Sequence, residues 1–463
     1  MNFVGPLLGL LILCFSVLLI IRKANPYAVL LFSGLIMLLL AWGLDLNVPA
    51  AKNSTGSQFL DFFRLMKEAF AKTNAGVGLM IMSIGGFVAY IQHIGASSAL
   101  VSLAVKPLSL FKNRPQLLAA LVIPIGQLLF VCIPSAAGLG LLLMASVFPI
   151  LIQLGVSRIS AASVITACTA FGIGPASAIT ARASEITGQP VISYFIESQI
   201  PLVFILSITL TFTYYFVNRH YDKKEVPSSD VLDEVQSSDK HVADESAKKV
   251  PMLYAIIPVL PLLLLIAFSK LFDFFDHPIL LDTTTAMFIS LVVAMLFELL
   301  RTKSVHDVFD SLTVFWSGMG TIFKTVVTLI VVADIFSKGL IALGVIDALV
   351  FTSQNIGFGV VGLAVIMTLL IFVSSIIMGS GNASFFAFAP LSTKISETYE
   401  VTSSFFILPM NLSASMGRTV SPISGVLIAV SELAGISPID LVKRNAIPFA
   451  VNILLLLILH FVL

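Results

Sequence analysis

Val4–Ile21, Ala28–Leu44 and Ala446–Leu463 are apolar runs that can each cross a bilayer core, which takes roughly 20 helical residues. Hydrocarbon offers backbone N–H and C=O groups no water to bond, so only helices and closed barrels span it. Barrel strands alternate apolar and polar residues, and these runs do not. The fold class expected is therefore an all-α polytopic membrane protein. Leu202–Phe216, Ile256–Phe268 and Met287–Leu300 become spans with a few flanking residues, giving about ten or eleven crossings plus two pairs of shorter segments. Hydrophobic residues make up 58% of the chain and charged ones 11%, which excludes an ordinary soluble domain. The first run continues into a second with no small-residue cleavage site, so a retained helix is expected, not a removed signal peptide. Cys14, Cys132 and Cys168 stand alone in apolar surroundings and read as packing residues. A net charge of +1 points to no nucleic acid partner.

The stretch Pro175–Pro201 recurs as Pro422–Pro448 without a gap. Pro175, Ser177, Ser184-Glu185, Gly188, Ile200 and Pro201 match Pro422, Ser424, Ser431-Glu432, Gly435, Ile447 and Pro448. Upstream, Gly138-x-Gly140 followed by Pro149 is matched by Gly379-x-Gly381 followed by Pro390 at a slightly shorter offset. Gly95 with Ala99-Leu100-Val101 is matched by Gly344 with Ala348-Leu349-Val350 at a slightly longer one. Matches kept in order imply two related halves, the pattern of many secondary transporters. The halves are residues 1–217 and 251–463. Between them Asn218–Val250 is polar, with charges of both signs, and reads as a solvated linker.

Loop charges set an orientation. With Met1 outside the cytoplasm, Arg22-Lys23, Lys106/Lys112/Arg114, Arg158, Arg219/Lys223/Lys224, Arg301/Lys303 and Lys443-Arg444 are cytoplasmic. Asp45, Asp273/Asp276/Asp282, Asp347 and Glu397/Glu400 then face the other side. Both termini are expected on that outer side and the linker in the cytoplasm. Phe59–Lys72 disagrees, carrying Arg64, Lys67 and Lys72 outside, and reads as an amphipathic interfacial arm. The halves acquire opposite topology, an inverted repeat that lets one plan build both gates of an alternating carrier.

Four blocks interrupt the apolar pattern. Pro134–Gly140 and Ser374–Ser384 each sit between arms too short to cross, so each is expected at the tip of a re-entrant hairpin, at about 116–153 and about 358–396. N–H groups opening the returning half-helix favour an anion. The candidate substrate ligands there are Ser135, Gly138, Gly140, Ser380, Gly381, Asn382 and Ser384; the bland alternative is a small-residue packing seam. Gly172–Ser177 and Gly417–Gly425 place proline inside spans, breaking helices expected at about 159–186 and about 403–432. Ser177, Thr419 and Ser421 join the substrate candidates, and Gly174, Pro175, Pro422 and Ser424 are candidates for ion coupling. The alternative for these blocks is an ordinary proline kink.

Arg418 lies inside a neutral stretch, and Phe171 stands at the matching position of the first half. An intramembrane guanidinium is costly and should meet an anion, either a bidentate substrate carboxylate or a structural partner such as Glu432 or Asp334. Asp334 is a candidate proton carrier unless Lys338, one turn on, pairs with it. Arg182 and Glu185 read as a local pair, and His93 as an interfacial residue. No GxSxG, HExxH, Walker loop or carboxylate dyad occurs, so enzymatic chemistry has no anchor and no cofactor is expected. A channel would need a continuous polar pore, whereas these blocks end blindly from opposite sides.

GSGNASFFAF (379–388), MGRTVSPISGVLIAV (416–430) and ISPIDLVKRNAIP (436–448) resemble the anaerobic C4-dicarboxylate uptake C family of the ion transporter superfamily, as do SAAGLGLLLMASVFP (135–149) and IGASSALVSLAVKPL (94–108). The resemblance runs nearly end to end. It implies carriage of succinate, fumarate and malate across the bacterial inner membrane by a homodimer working as an elevator. The transport parts would be the hairpins and broken helices, moving against scaffold helices at 1–93 and 251–340. Sodium-coupled relatives carry Ser-Asn-Thr at each hairpin tip; here the tips read Ser-Ala-Ala-Gly-Leu-Gly and Gly-Ser-Gly-Asn-Ala-Ser, leaving H⁺ and Na⁺ both open as coupling ion. Another branch of the superfamily handles basic amino acids or other organic anions.

Overall fold

The computed structural model describes residues 4–111, 113–223, 250–269, 279 and 281–462. Most of the linker (224–249), Lys112, Asp273 and Asp276 lie outside the described residues. Among those described, ten helices are long and apolar enough to cross a membrane. Leu7, Phe15, Phe204, Phe212 and Phe216 point outward, whereas Ser160, Ser163, Thr166, Asn411 and Ser413 are buried. The outer surface is apolar, and polar side chains share the interior with a large apolar core. Lipid supplies no hydrophobic drive between helices, so small and polar side chains occupy the seams.

The first half runs α1 (Val4–Ile21), α2 (Pro26–Gly43), α3 (Gln58–His93), α4 (Ala96–Val105), α5 (Pro115–Cys132), α6 (Ala136–Gln153), α7 (Arg158–Ala167), α8 (Ala178–Thr187) and α9 (Val191–Asp222). The second runs α10 (Met252–Ala267), α11 (Thr283–Thr302), α12 (Val305–Ala342), α13 (Val345–Ile356), α14 (Gly359–Met378), α15 (Gly381–Phe388), α16 (Leu391–Tyr399), α17 (Ser404–Thr419), α18 (Gly425–Ala434) and α19 (Pro438–Val462). The same devices appear in the same order. Long α3 and α12 each pass through a π-helical turn, at Asn74–Gly78 and Phe323–Val327. Left-handed Gly95 and Gly344 open α4 and α13, and left-handed Gly188 and Gly435 close α8 and α18. Only glycine adopts that conformation without strain, which accounts for these matched glycines.

The halves interlock. Thr328–Ala342 of α12 packs along α2, and Val305–Ile322 along Leu79–His93 of α3. A Cβ on Gly34 of α2 would lie 2.8 Å from the Phe336 backbone, so this seam exists because glycine lets the helices touch. The arm Gln58–Thr73 is amphipathic, burying Phe62, Leu65 and Ala69.

One boundary needs correction. Asn218–Asp222, read as the start of the linker, form the last turn of α9. Asn218 is buried, and Asp222 accepts hydrogen bonds from Ser157 (2.8 Å), Ser160 (2.7 Å) and Gln116 (2.9 Å) while pairing with buried Arg444 at 3.2 Å. A polar run looks solvated until the fold brings other polar side chains against it. Asp222→Ala removes the carboxylate from the buried Arg444 guanidinium and should destabilise the protein by about 3 kcal/mol, the loss expected on breaking such a pair. Thermal unfolding of the purified variant in detergent checks this; an unchanged midpoint contradicts it.

Candidate functional site: a cavity at two helix starts

After α5 the chain cannot continue as a helix, because Pro134 holds Ile133 out of the helical region at φ −125°, ψ 75°. Ser135 is extended, and its Oγ accepts from Gly138 N at 3.2 Å, capping α6. In the second half α14 ends at left-handed Gly379, and extended Ser380 caps α15 by accepting from Ala383 N at 3.3 Å. A Cβ on Gly379 would stand 2.9 Å from the Ile423 carbonyl oxygen, and one on Gly381 would stand 2.7 Å from that of Ala414. The second helix start is therefore pressed against the break between α17 and α18, where the Ser421 Oγ donates to the Ile376 carbonyl (2.6 Å).

These pieces enclose a cavity of about 180 Å³. Ala136 and Ala137 line it from α6, Gly379 to Asn382 from the second tip, and Arg418, Ser424, Gly425 and Val426 from the break. Sites for drug-sized ligands are larger, roughly 300–1,000 Å³. Two polar groups here lack partners. The Ser424 hydroxyl is buried with no hydrogen bond, and so is Nε of Arg418. The other end of that guanidinium donates to the Thr169 carbonyl at 2.6 Å, and its carbon lies 5.8 Å from the centre of the Phe130 ring. None of the described ion pairs includes Arg418. A guanidinium in an apolar helix costs about 3 kcal/mol even on lenient insertion scales. Here a carbonyl, a ring face and an open cavity are what it faces.

The remaining candidates divide. Ser380, Gly381, Asn382, Arg418 and Ser424 line the cavity, with Ser135 one residue behind Ala136. Gly138 is turned toward Gln92, and Gly140 toward Val426 and Val430. Ser384 is fully buried among Ser375, Ser380 and the Gly381 carbonyl. The Thr419 hydroxyl returns to the Ser415 carbonyl (3.0 Å), while Pro422 is exposed. Asp334 lies elsewhere. Its ion-pair partner is Arg182, not Arg418 and not Lys338, and Arg182 also holds Glu185. One turn of sequence separation could not reveal a partner in the other half.

The first helix break is built differently. Gly174, left-handed at φ +95°, donates its N–H to Gln199 Oε1 at 3.1 Å. The Gly172 carbonyl accepts from both Ser177 Oγ (2.9 Å) and Thr180 Oγ1 (3.1 Å). Pro175 lines a narrow apolar gap with Pro134 and Phe87. Gly174, Pro175 and Ser177 thus sit in a satisfied, closed segment. Gln199 also bonds Asn411 Oδ1 (3.1 Å), and Asn445 Nδ2 donates to the Thr419 carbonyl (3.0 Å). Sequence reasoning missed these amides and Thr169. Asn and Gln inside apolar spans were the available signal. No group of three or more His, Cys, Asp or Glu able to hold a metal comes together among the described residues.

The family model described as "C4-dicarboxylate anaerobic carrier", DcuC, matches residues 5–463. The chain belongs to the DcuC family. This DcuC-family chain is 30% identical to the anaerobic C4-dicarboxylate transporter DcuC of Escherichia coli K12 over 459 residues, covering 99% of itself and 96% of the relative. The DcuC of Shigella flexneri matches to the same extent. Its fold is shared with the solved structure of Neisseria gonorrhoeae MtrF, placed in a class of antimetabolite efflux pumps, at a TM-score of 0.64 and 14% identity, covering 95% of this chain and 96% of that one. For this DcuC-family protein, Gly381→Ala forces the helix start away from Ala414 and should cost about 2 kcal/mol, as overpacking does. Thermal unfolding of the purified variant in detergent checks this; an unchanged midpoint contradicts the close approach.

Proposed function

We propose that the chain is a secondary active carrier of C4-dicarboxylates such as succinate, fumarate and malate across the bacterial inner membrane. The observation that carries this is Arg418, a half-buried guanidinium whose buried Nε is unpaired and which has no carboxylate partner among the described residues, facing a small cavity where two helices begin. The charges suit a dianion. Arg418 contributes a full positive charge, and the starts of α6 and α15 contribute about half a charge each. One substrate carboxylate lies against the guanidinium, and the other against the N–H groups at Ala136–Ala137 and Gly381–Asn382. Names of relatives across nearly the whole chain support the same substrate class.

Alternating access follows from the duplicated plan. The repeated element order, with loop charges that give the halves opposite orientation, supports an inverted repeat. In this reading α5–α8 and α14–α18 form the transport body, and α1–α3 with α10–α12 the scaffold against which it slides as an elevator. The carrier works as a homodimer, and H⁺ or Na⁺ drives it, or a second dicarboxylate exchanges.

Proteoliposomes test the proposal. Wild-type protein should show saturable succinate counterflow that fumarate and malate inhibit. Arg418→Ala should weaken succinate binding at least 100-fold while the protein stays monodisperse, consistent with loss of a charge-assisted bidentate contact. Unchanged transport by that variant removes Arg418 from the site. Counterflow of another small organic anion but not succinate reassigns the substrate.

A further inference from the structure

Outside the cavity, the densest arrangement of charge joins α8 to α12. Arg182 is 6% exposed and pairs with Glu185, three residues along its own helix, and with Asp334 on α12. Its Nε has no partner. The side chains of Glu185 and Asp334 remain 28% and 21% exposed. The two acids differ in attachment. Glu185 moves wherever α8 moves, whereas Asp334 belongs to a helix packed along α2. Any displacement of α8 past α12 separates Arg182 from Asp334 and leaves Arg182 with Glu185.

What would then surround Asp334 is visible. Lys338 lies one turn along α12, and Lys72 and Glu68 of α3 are within electrostatic reach of the cluster. No described ion pair joins Lys338 to Asp334. Neighbouring α2 and α15 bring no acid or base except Tyr27, whose hydroxyl donates to the Thr325 carbonyl. Asp347 of α13 is held by Lys394 at 2.7 Å. A largely buried carboxylate that loses its counter-ion is neutralised most cheaply by binding a proton. The cluster also breaks the duplication. Arg182 is matched by Ala429, and Asp334 by Gly85 at the offset of the aligned π-turns, so the matching positions hold no equivalent pair.

We propose that Asp334 is a proton-binding site linked to the movement between α8 and α12, its carboxylate taking a proton when Arg182 departs. An O–H bond forms with a proton from water, and it breaks, returning the proton to water, when Arg182 comes back. Acid therefore favours the separated arrangement and neutral pH the paired one. Without such a pair at the matching positions, one end of the transport cycle carries this proton and the other does not. The inference rests on the carrier reading, which supplies the movement.

Distances between spin labels on α8 and α12 test it in purified full-length protein, with Cys14, Cys132 and Cys168 replaced. From pH 7.5 to about 5.5 the separated population of wild type should rise at least threefold. Asp334→Asn should hold that population high and independent of pH. Asp334→Glu should keep the pair and move the transition upward by roughly 0.4 pH unit, the difference between the two free carboxyls. If Asp334→Asn fails to yield monodisperse protein, the glutamate variant and wild type decide. An Asp334→Asn protein with wild-type populations and pH response overturns the proposal, as does wild type that shifts with succinate but not with pH. Wild type showing one distance under every condition, succinate included, fails the elevator reading instead and removes the basis of this one.

Discussion

Backbone groups freed by a broken helix must be satisfied from within the protein, since lipid cannot do it, and every unusual feature here follows from that constraint. Gln199 receives the N–H of Gly174, Ser177 and Thr180 supply donors to the Gly172 carbonyl, and Asn445 and Ser421 supply donors to the Thr419 and Ile376 carbonyls. Several of these donors come from distant parts of the chain. The breaks therefore hold their shape only in the assembled molecule, where Gly379 packs on the second break at Ile423 and Gly381 on Ala414 of α17.

Two of the buried groups left without a partner meet at the same cavity. Ser424 keeps an unbonded hydroxyl, and Arg418 keeps an unbonded Nε at the same cavity. Buried polar groups normally find partners, and two unfilled ones beside one open space are what the proposed carrier reading builds on. At the first break, Phe171 replaces the guanidinium and the hydroxyls are already occupied. The guanidinium and the unpaired hydroxyl thus occur together at one break and not at the other.

Much of the architecture was legible in the chain itself. Pro134, Gly379, Pro175 and Pro422 punctuate the apolar runs, and the structure interrupts its helices at 133–135, 379–380, 168–177 and 420–424. The site was legible only in part. Ser384, Thr419 and Ser421 were sound guesses by type, yet each hydroxyl is spent on a nearby carbonyl. Asn218 and Asp222 look like linker because their composition is polar; Asn218 is buried and Asp222 half-buried because Ser163, Ser160 and Arg444 meet them there.

By itself the sequence determined the helical class, the places where helices stop, and an arginine inside a neutral stretch. Those depend on local quantities: hydrophobic length, the missing N–H of proline, the free φ of glycine, the cost of an isolated charge. Tertiary structure alone decided which polar groups remain unpaired. It put Asp334 against Arg182, left Arg418 facing a cavity, and brought two helix starts from different halves to that same space. Pairing is a property of positions in space, and residues more than a hundred apart in the chain become neighbours only when the helices pack.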